Sequence, residues 1–297
     1  MARRRRALSD YQVKMLFLMP TLLLLVGMNV FPLIWSLYLS FHRYAADMPG
    51  RAPEAVGTAN YTALLHDPNL WRYFQITAEF VVLAVGAQFL IGFGVALLLN
   101  REFKGKGLVT TLILLPMMLS PAVVGLFWKL IMDPNWGLLN FLIRPVTGAA
   151  PAWLTDARTA LPSLVMIDTW MWSPFMMLIC LAGLNAVPKY LYEAADVDRA
   201  SGWFKFRHIT LPLIGPLLLL ALIFRTMDAF KLFDMVWVAT AGGPGDVTEM
   251  VSVTLYRQAF QNWNTGEACA LAYILLVVII ALSNLYIRWL NRVRGEA

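Results

Sequence analysis

The chain has 297 residues, 59% of them hydrophobic and only 14% charged, and it carries 11 tryptophans. Together with a mean hydropathy of +0.63, this excludes an ordinary soluble domain and indicates a multi-span membrane protein. The formal net charge of +6 does not point to nucleic acid. The basic residues fall in short clusters between apolar runs and form no basic stripe, and membrane orientation accounts for that pattern.

Crossing a hydrocarbon core takes about 20 helical residues, and six runs reach that length: 15–40, 74–99, 108–131, 161–185, 211–239 and 267–290. Residues 1–14 form a basic N-terminus, 15–290 a six-span domain, and 291–297 a short tail. The first run follows MARRRR, but it is too long for the apolar part of a signal peptide and lacks a small-x-small cleavage site, so it is expected to stay as a span. Loop 41–73 is rich in Gly and Pro at DMPGRAPEAVG, and the turn after the second run, REFKGKG, is tight. Loop 132–160 contains DPNWGLLN, and loop 240–266 opens with AGGPG and leaves room for a short surface helix at VSVTLYRQAFQNW.

With the N-terminus inside, the inner segments hold fifteen Lys and Arg: Arg3 to Arg6, Lys14, Arg101, Lys104, Lys106, Lys189, Arg199, Lys205, Arg207, Arg288, Arg292 and Arg294. The outer segments hold six: Arg43, Arg51, Arg72, Arg144, Arg158 and Arg257. Both termini are therefore expected in the cytoplasm, with Gly50 and Gly245 outside and Lys104 and Ser201 inside.

Several function classes find no support. Cys180 and Cys269 lie in apolar runs as small hydrophobes, and no Cys/His spacing suits a metal, so neither disulfide nor metal is expected. His42, His66 and His208 all fall in or beside loops, which leaves an intramembrane hydrolase without its Ser-His pair. No G-x-x-x-x-G-K-[ST] loop exists to hold ATP. An enzyme is thus not expected. The absence of an internal repeat weakens a secondary carrier built on duplicated halves. Glu79, Gln88 and Lys129 are polar residues inside runs and fit either span ends or a subunit interface.

The inner loop VPKYLYEAADVDRASGWFKFRHITLP holds two helix-compatible segments bounded by Pro188 and Pro212, each too short to be stable alone. Tyr190, Tyr192, Trp203, Phe204 and Phe206 crowd it. Aromatics at that density favour a protein interface, the alternative being an anchor lying on the headgroups. Glu193 also reads as a carboxylate favoured in a first helical turn.

Glu193-Ala194-Ala195, Asp198, Ala200, Phe206, Ile209, Leu211-Pro212 and Pro216 resemble the EAA loop of binding-protein-dependent ABC importer permeases. With GGP at Gly242 to Pro244, the chain is similar to the carbohydrate-uptake branch, such as maltose, sugar and glycerol-phosphate permeases. The family glycine after the aspartate is Arg199 here. A left-handed backbone would cost an Arg on the order of 1 kcal/mol, so the turn is expected to shift to Gly202.

The resemblance implies an all-α, type I importer membrane domain in the bacterial plasma (inner) membrane. It also implies a second homologous permease chain, two cytoplasmic ATPase subunits, an external binding protein and a sugar substrate. The chain itself would hold no cofactor, ATP and Mg residing on the ATPase subunits. Loop 188–212 would couple to the ATPase through Leu191 to Arg199, with Glu193, Ala194, Ala195, Asp198 and Arg199 at the contact and Gly202 supplying backbone freedom. In the fourth run, DTWMWSPFMMLIC, the rings of Trp170, Trp172 and Phe175 suit either packing or a sugar-stacking wall; the resemblance puts Met171, Trp172 and Phe175 on the substrate path. A six-span carrier or channel uncoupled from ATP is the alternative, and it leaves the EAA loop unexplained.

The fifth run contains FRTMDAFKLFD, with Arg225, Asp228, Lys231 and Asp234 at intervals of three. Four charges at the bilayer centre cost roughly 10–14 kcal/mol, against about 4.5–9 kcal/mol returned by the apolar residues of the run, which excludes exposure to lipid. Either Arg225 pairs with Asp228 and Lys231 with Asp234, or Arg225 and Asp228 border a wet cavity where they bond sugar hydroxyls. By resemblance, Arg225 and Asp228 occupy positions that touch substrate.

Overall fold

A computed structural model describes residues 9–48 and 50–294, with the backbone alone at 12, 13 and 292–294. The Arg3 to Arg6 cluster, the Arg292 and Arg294 side chains and residues 295–297 lie outside the described part. In chain order the helices are α1 (Asp10–Leu25), α2 (Phe31–Ser40), α3 (Ala59–His66), α4 (Pro68–Leu99), α5 (Lys106–Leu114), α6 (Pro121–Ile131) and α7 (Leu138–Thr147). There follow α8 (Ala160–Ala186), α9 (Lys189–Val197), α10 (Gly202–Lys205), α11 (Leu211–Phe230), α12 (Asp234–Ala239), α13 (Val251–Tyr256) and α14 (Thr265–Arg294). A two-residue ladder, β1 (His42–Arg43) with β2 (Glu54–Ala55), follows α2.

Among the described residues, five helical stretches are long and apolar enough to cross a membrane: Lys14–Ser40, Pro68–Leu99, Ala160–Ala186, Gly202–Phe230 and Thr265–Asn291. They match five of the expected runs. The third run differs, because α5 has 9 residues and α6 has 11. Pro116 and Pro121 separate them: Leu119 and Ser120 are extended, the conformation that a following proline imposes on Ser120. The fifth run also differs, for its helix begins at Gly202 and stops at Phe230. Pro212, expected as a boundary, lies inside it. A wide π turn at Phe206–Thr210 precedes that proline, which cannot donate the usual backbone bond.

The chain divides into two compact units. In the first, residues 1–67 and 255–274, Lys14–Ser40 keeps no buried share in its most apolar window, as suits a helix facing other apolar surroundings on all sides. The Asn60 amide donates to the carbonyls of Ser40 (2.9 Å) and His42 (3.0 Å), fixing α3 under the end of α2. The Gly266 N–H donates to the Tyr44 carbonyl at 3.0 Å, and a Cβ there would collide with the His42 carbonyl.

The second unit, residues 68–254 and 275–297, is built on α4 packed along α8. A Cβ on Gly92 would stand 2.6 Å from Met176 Cβ and 2.7 Å from the Ser173 carbonyl, so the bare backbone is what lets these helices approach. Gly125 plays the same part between α6 and α12, where an added Cβ would stand 2.8 Å from the Met235 carbonyl. Phe80, Ala84, Leu164, Ile167, Met176 and Met177 fill the core, and Val251 to Val253 are buried too, so the start of α13 is a core element and not the surface helix expected.

Candidate functional site

Arg225 is 2% exposed, in the last turns of α11, and its guanidinium reaches three elements. Nε donates to Gln88 Oε1 on α4 at 2.7 Å, and Nη2 pairs with Asp168 Oδ2 on α8 at 2.5 Å. Nη1 stands 3.5 Å from Asp228 Oδ2, a loose contact. Gln88 closes the triangle by donating to Asp168 Oδ2 at 2.7 Å and to the Asp168 carbonyl at 3.2 Å. Asp168 and Gln88 are completely buried. The principal partner of Arg225 is therefore Asp168, 57 residues away in sequence, and not Asp228 as a local pair requires. In so dry a setting the pair persists because every nitrogen of the planar fork faces an acceptor.

The rest of the charge ladder follows from the helix end. With α11 stopping at Phe230, Lys231 is its C-cap, where a cation meets the negative end of the helix dipole. Lys231 Nζ lies 3.3 Å from Asp228 Oδ1, so it pairs backward to Asp228 and not forward to Asp234. Asp234 is exposed in the first turn of α12, the favoured place for a carboxylate. Two of the four charges thus escape the centre of the span altogether.

Arg225 and Asp228 share one open recess of about 310 Å³ with Trp172, Phe175, Met227 and Lys231. The Arg225 guanidinium carbon lies 5.0 Å from the centre of the Trp172 ring, a cation–π distance, and Trp172 meets Phe175 edge to face at 6.4 Å. Asp228 is half-exposed in the recess, and the buried Trp172 indole N–H has no hydrogen-bond partner among the described residues. Met171, one residue away, is instead fully buried in the core. Trp170 packs edge to face on Trp128 at 5.5 Å beside a larger recess of about 550 Å³ between α4, α5 and α8. That larger space is lined chiefly by apolar groups and brings together none of the ladder charges, so the smaller recess has the chemistry to bind a polar ligand.

The loop between α8 and α11 is two helices and a tight turn. α9 ends in a Schellman motif: the Ala200 N–H donates to the Ala195 carbonyl (2.8 Å) and the Arg199 N–H to the Asp196 carbonyl (3.0 Å). Arg199 has φ +54. The turn expected to move to Gly202 therefore stays at Arg199, since the two capping bonds need a left-handed residue there. Gly202 is an ordinary first-turn residue of α10, whose N-cap, Ser201, accepts from the Phe204 N–H at 3.2 Å. Backbone freedom at Gly202 is thus not used.

Two contacts tie α9 to the long helix: Lys205 Nζ to Asp196 Oδ1 at 2.6 Å, and Tyr192 OH to Thr210 Oγ1 at 2.8 Å. Glu193, Ala194 and Asp198 are exposed on α9 and Ala195 is buried. Tyr190, Trp203 and Phe204 are exposed around the same loop. The helical part of the loop spans Lys189–Val197, two residues earlier at each end than the expected Leu191 to Arg199.

Of the polar residues left open by the sequence, Gln88 belongs to the buried triangle, Glu79 is exposed, and Lys129 donates to the Val238 carbonyl at 3.2 Å. Asp168 is the residue that sequence reasoning missed. A carboxylate inside an otherwise apolar run was the available signal, because such a group needs a partner.

Residues 88–294 match the family described as binding-protein-dependent transport system inner membrane component. The chain is 35% identical over 281 residues to a probable ABC transporter permease protein of Sinorhizobium fredii, covering 95% of this chain and 90% of that protein. It is 32% identical over 277 residues to the trehalose/maltose transport system permease protein of Thermococcus litoralis, covering 92% of each. Its fold is similar to a chain of a bacterial ABC transporter involved in the import of the acidic polysaccharide alginate, with a TM-score of 0.81 and 21% identity over 94% of this chain and 95% of that one.

Proposed function

The chain belongs to the binding-protein-dependent transport system inner membrane component family, and from that premise we propose that it is one permease half of an ATP-driven carbohydrate importer. It is a multi-pass protein of the inner membrane. In this reading a second, homologous permease chain completes the pathway, two cytoplasmic ATPase subunits bind ATP and Mg, and an external binding protein delivers the sugar. Both termini are cytoplasmic, and α5 and α6 in series make the sixth crossing. The chain carries out transport and no covalent chemistry.

The observation that carries the proposal is the recess beside the buried triangle. Two aromatic faces, Trp172 and Phe175, stand next to a fixed guanidinium and a half-exposed carboxylate. Sugars present C–H faces to rings and hydroxyls to charged groups, so this combination binds them. Met171, fully buried, acts behind the recess wall.

Coupling uses the loop. Glu193, Ala194, Ala195, Asp198 and Arg199 lie on or just past α9, which seats in the ATPase cleft, and Gly202 opens the helix that carries the motion away. From Gly202 the helix runs unbroken for 29 residues to Phe230, and about 35 Å separate Gly202 from Arg225 at 1.5 Å per residue. A push on α9, fixed to that helix by Lys205 and Tyr192, therefore arrives at the recess. ATP shifts the inward and outward states only through its difference in affinity for them.

The test starts from the delivering protein. The cognate binding protein is purified and screened for ligands that raise its melting temperature, and the ligand found is then offered to cells carrying Asp228→Asn. The reading expects a sugar or polyol ligand, and uptake reduced far more than complex assembly. Equal loss of both makes Asp228 structural only.

A further inference from the structure

Surface helices of water-soluble domains bury their apolar side and expose their polar side. α7 does the reverse. Leu138, Phe141, Leu142 and Val146 recur at the spacing of one helical face and are 55%, 74%, 60% and 85% exposed. Asn140, on the opposite face, is 5% exposed. Its amide donates to the carbonyls of Pro134 (3.3 Å) and Pro151 (3.1 Å), and its oxygen accepts from the Trp153 indole at 2.7 Å. The inverted orientation is therefore fixed: rotating the stripe inward would strand Asn140 and break three hydrogen bonds.

We propose that α7 is a membrane-lying helix, seated along the headgroup boundary with Leu138, Phe141, Leu142 and Val146 in lipid. Three observations favour lipid over a protein. α7 packs on α6, which presents Leu126, Phe127 and Leu130 outward, so the stripe continues an exposed apolar surface, one that the proposed sixth crossing puts in lipid. Only residues 132–137 separate the two helices, a reach of at most about 25 Å. Trp136 is exposed just ahead of the stripe and Arg144 is exposed on the polar flank. An indole and a guanidinium in those places anchor an interfacial helix, the first at the boundary and the second among lipid phosphates.

The experiment uses the whole transporter in its native membrane. A benzophenone-bearing phenylalanine replaces Phe141, Leu142 or Thr147, the last exposed on the side of α7 opposite the stripe, in separate samples, which are irradiated, purified and weighed. Phospholipid adducts several times more abundant at 141 and 142 than at 147 are expected. Cross-linking of 141 or 142 to another polypeptide, the second permease chain above all, overturns the proposal and makes the stripe a subunit interface. Equal, low adduct at all three positions places the stripe in water and overturns it as well. Where position 141 does not accept the larger side chain, Val146 at the far end of the stripe is read for the same outcomes.

Discussion

Replacing Asp168 by Leu tests whether the buried triangle holds α4, α8 and α11 together. The substitution removes the 2.5 Å ion pair and leaves the Arg225 guanidinium with Gln88 and the loose, half-exposed Asp228. Breaking one side of a buried pair costs about 3–5 kcal/mol, and the surviving Asp228 contact restores no more than about 1 kcal/mol. Arg225→Leu costs a similar amount for the converse reason: it strands the carboxylate of Asp168, which is completely buried. It does not chiefly strand Asp228, the partner a local pair would give it.

If the two losses were independent they would sum to about 6–10 kcal/mol. They are not independent, because Asp168→Leu with Arg225→Leu removes both charges at once. Apolar replacement of a buried pair is commonly neutral or stabilising by about 1–4 kcal/mol, set against about 1–3 kcal/mol for the Gln88 amide oxygen, which loses Arg225 while its NH2 keeps the backbone carbonyl of residue 168. The double variant is therefore expected near wild-type stability and without sugar uptake. The assay is the yield and thermal midpoint of the purified complex for wild type, both single variants and the double variant, with uptake measured in parallel. Additive losses in the double variant, or an Asp168→Leu complex as stable as wild type, refute the reasoning.

Glu193→Ala is expected to leave the complex in the membrane while uptake falls strongly, measured by co-purification of the ATPase and by transport; normal uptake removes Glu193 from the coupling surface. Arg199→Gly, at φ +54, is expected to raise stability by about 1 kcal/mol by relieving a left-handed side chain, read as a higher thermal midpoint. A lowered midpoint would show that the Arg199 side chain contributes more than its backbone costs. Gly92→Ala forces a Cβ to within 2.7 Å of the Ser173 carbonyl and is expected to cost about 1–3 kcal/mol as overpacking. An unchanged yield and midpoint would mean that α4 and α8 can part freely.

The membrane character, five of the six apolar runs and the loop signature were legible because each is local: length, hydropathy and a few residue types at fixed spacing. The broken third run was harder. Averaged hydropathy passes smoothly through residues 108–131, whereas the backbone is interrupted by Pro116 and Pro121. The triangle was not legible, since Gln88, Asp168 and Arg225 lie 57 to 137 residues apart and meet only through packing. Within the ladder, the end of α11 at Phe230 reassigned Lys231 and Asp234 to a cap and a first turn. Arg199 shows tertiary and capping demands overriding residue preference, for the Schellman bonds leave that position no other conformation.

The most direct test of coupling is uptake into proteoliposomes holding the purified complex, with the binding protein and radiolabelled sugar outside and ATP inside. The account predicts accumulation above the outside concentration that requires both ATP and the binding protein and is lost in Glu193→Ala. Equal equilibration with and without ATP would contradict it and identify a carrier or channel.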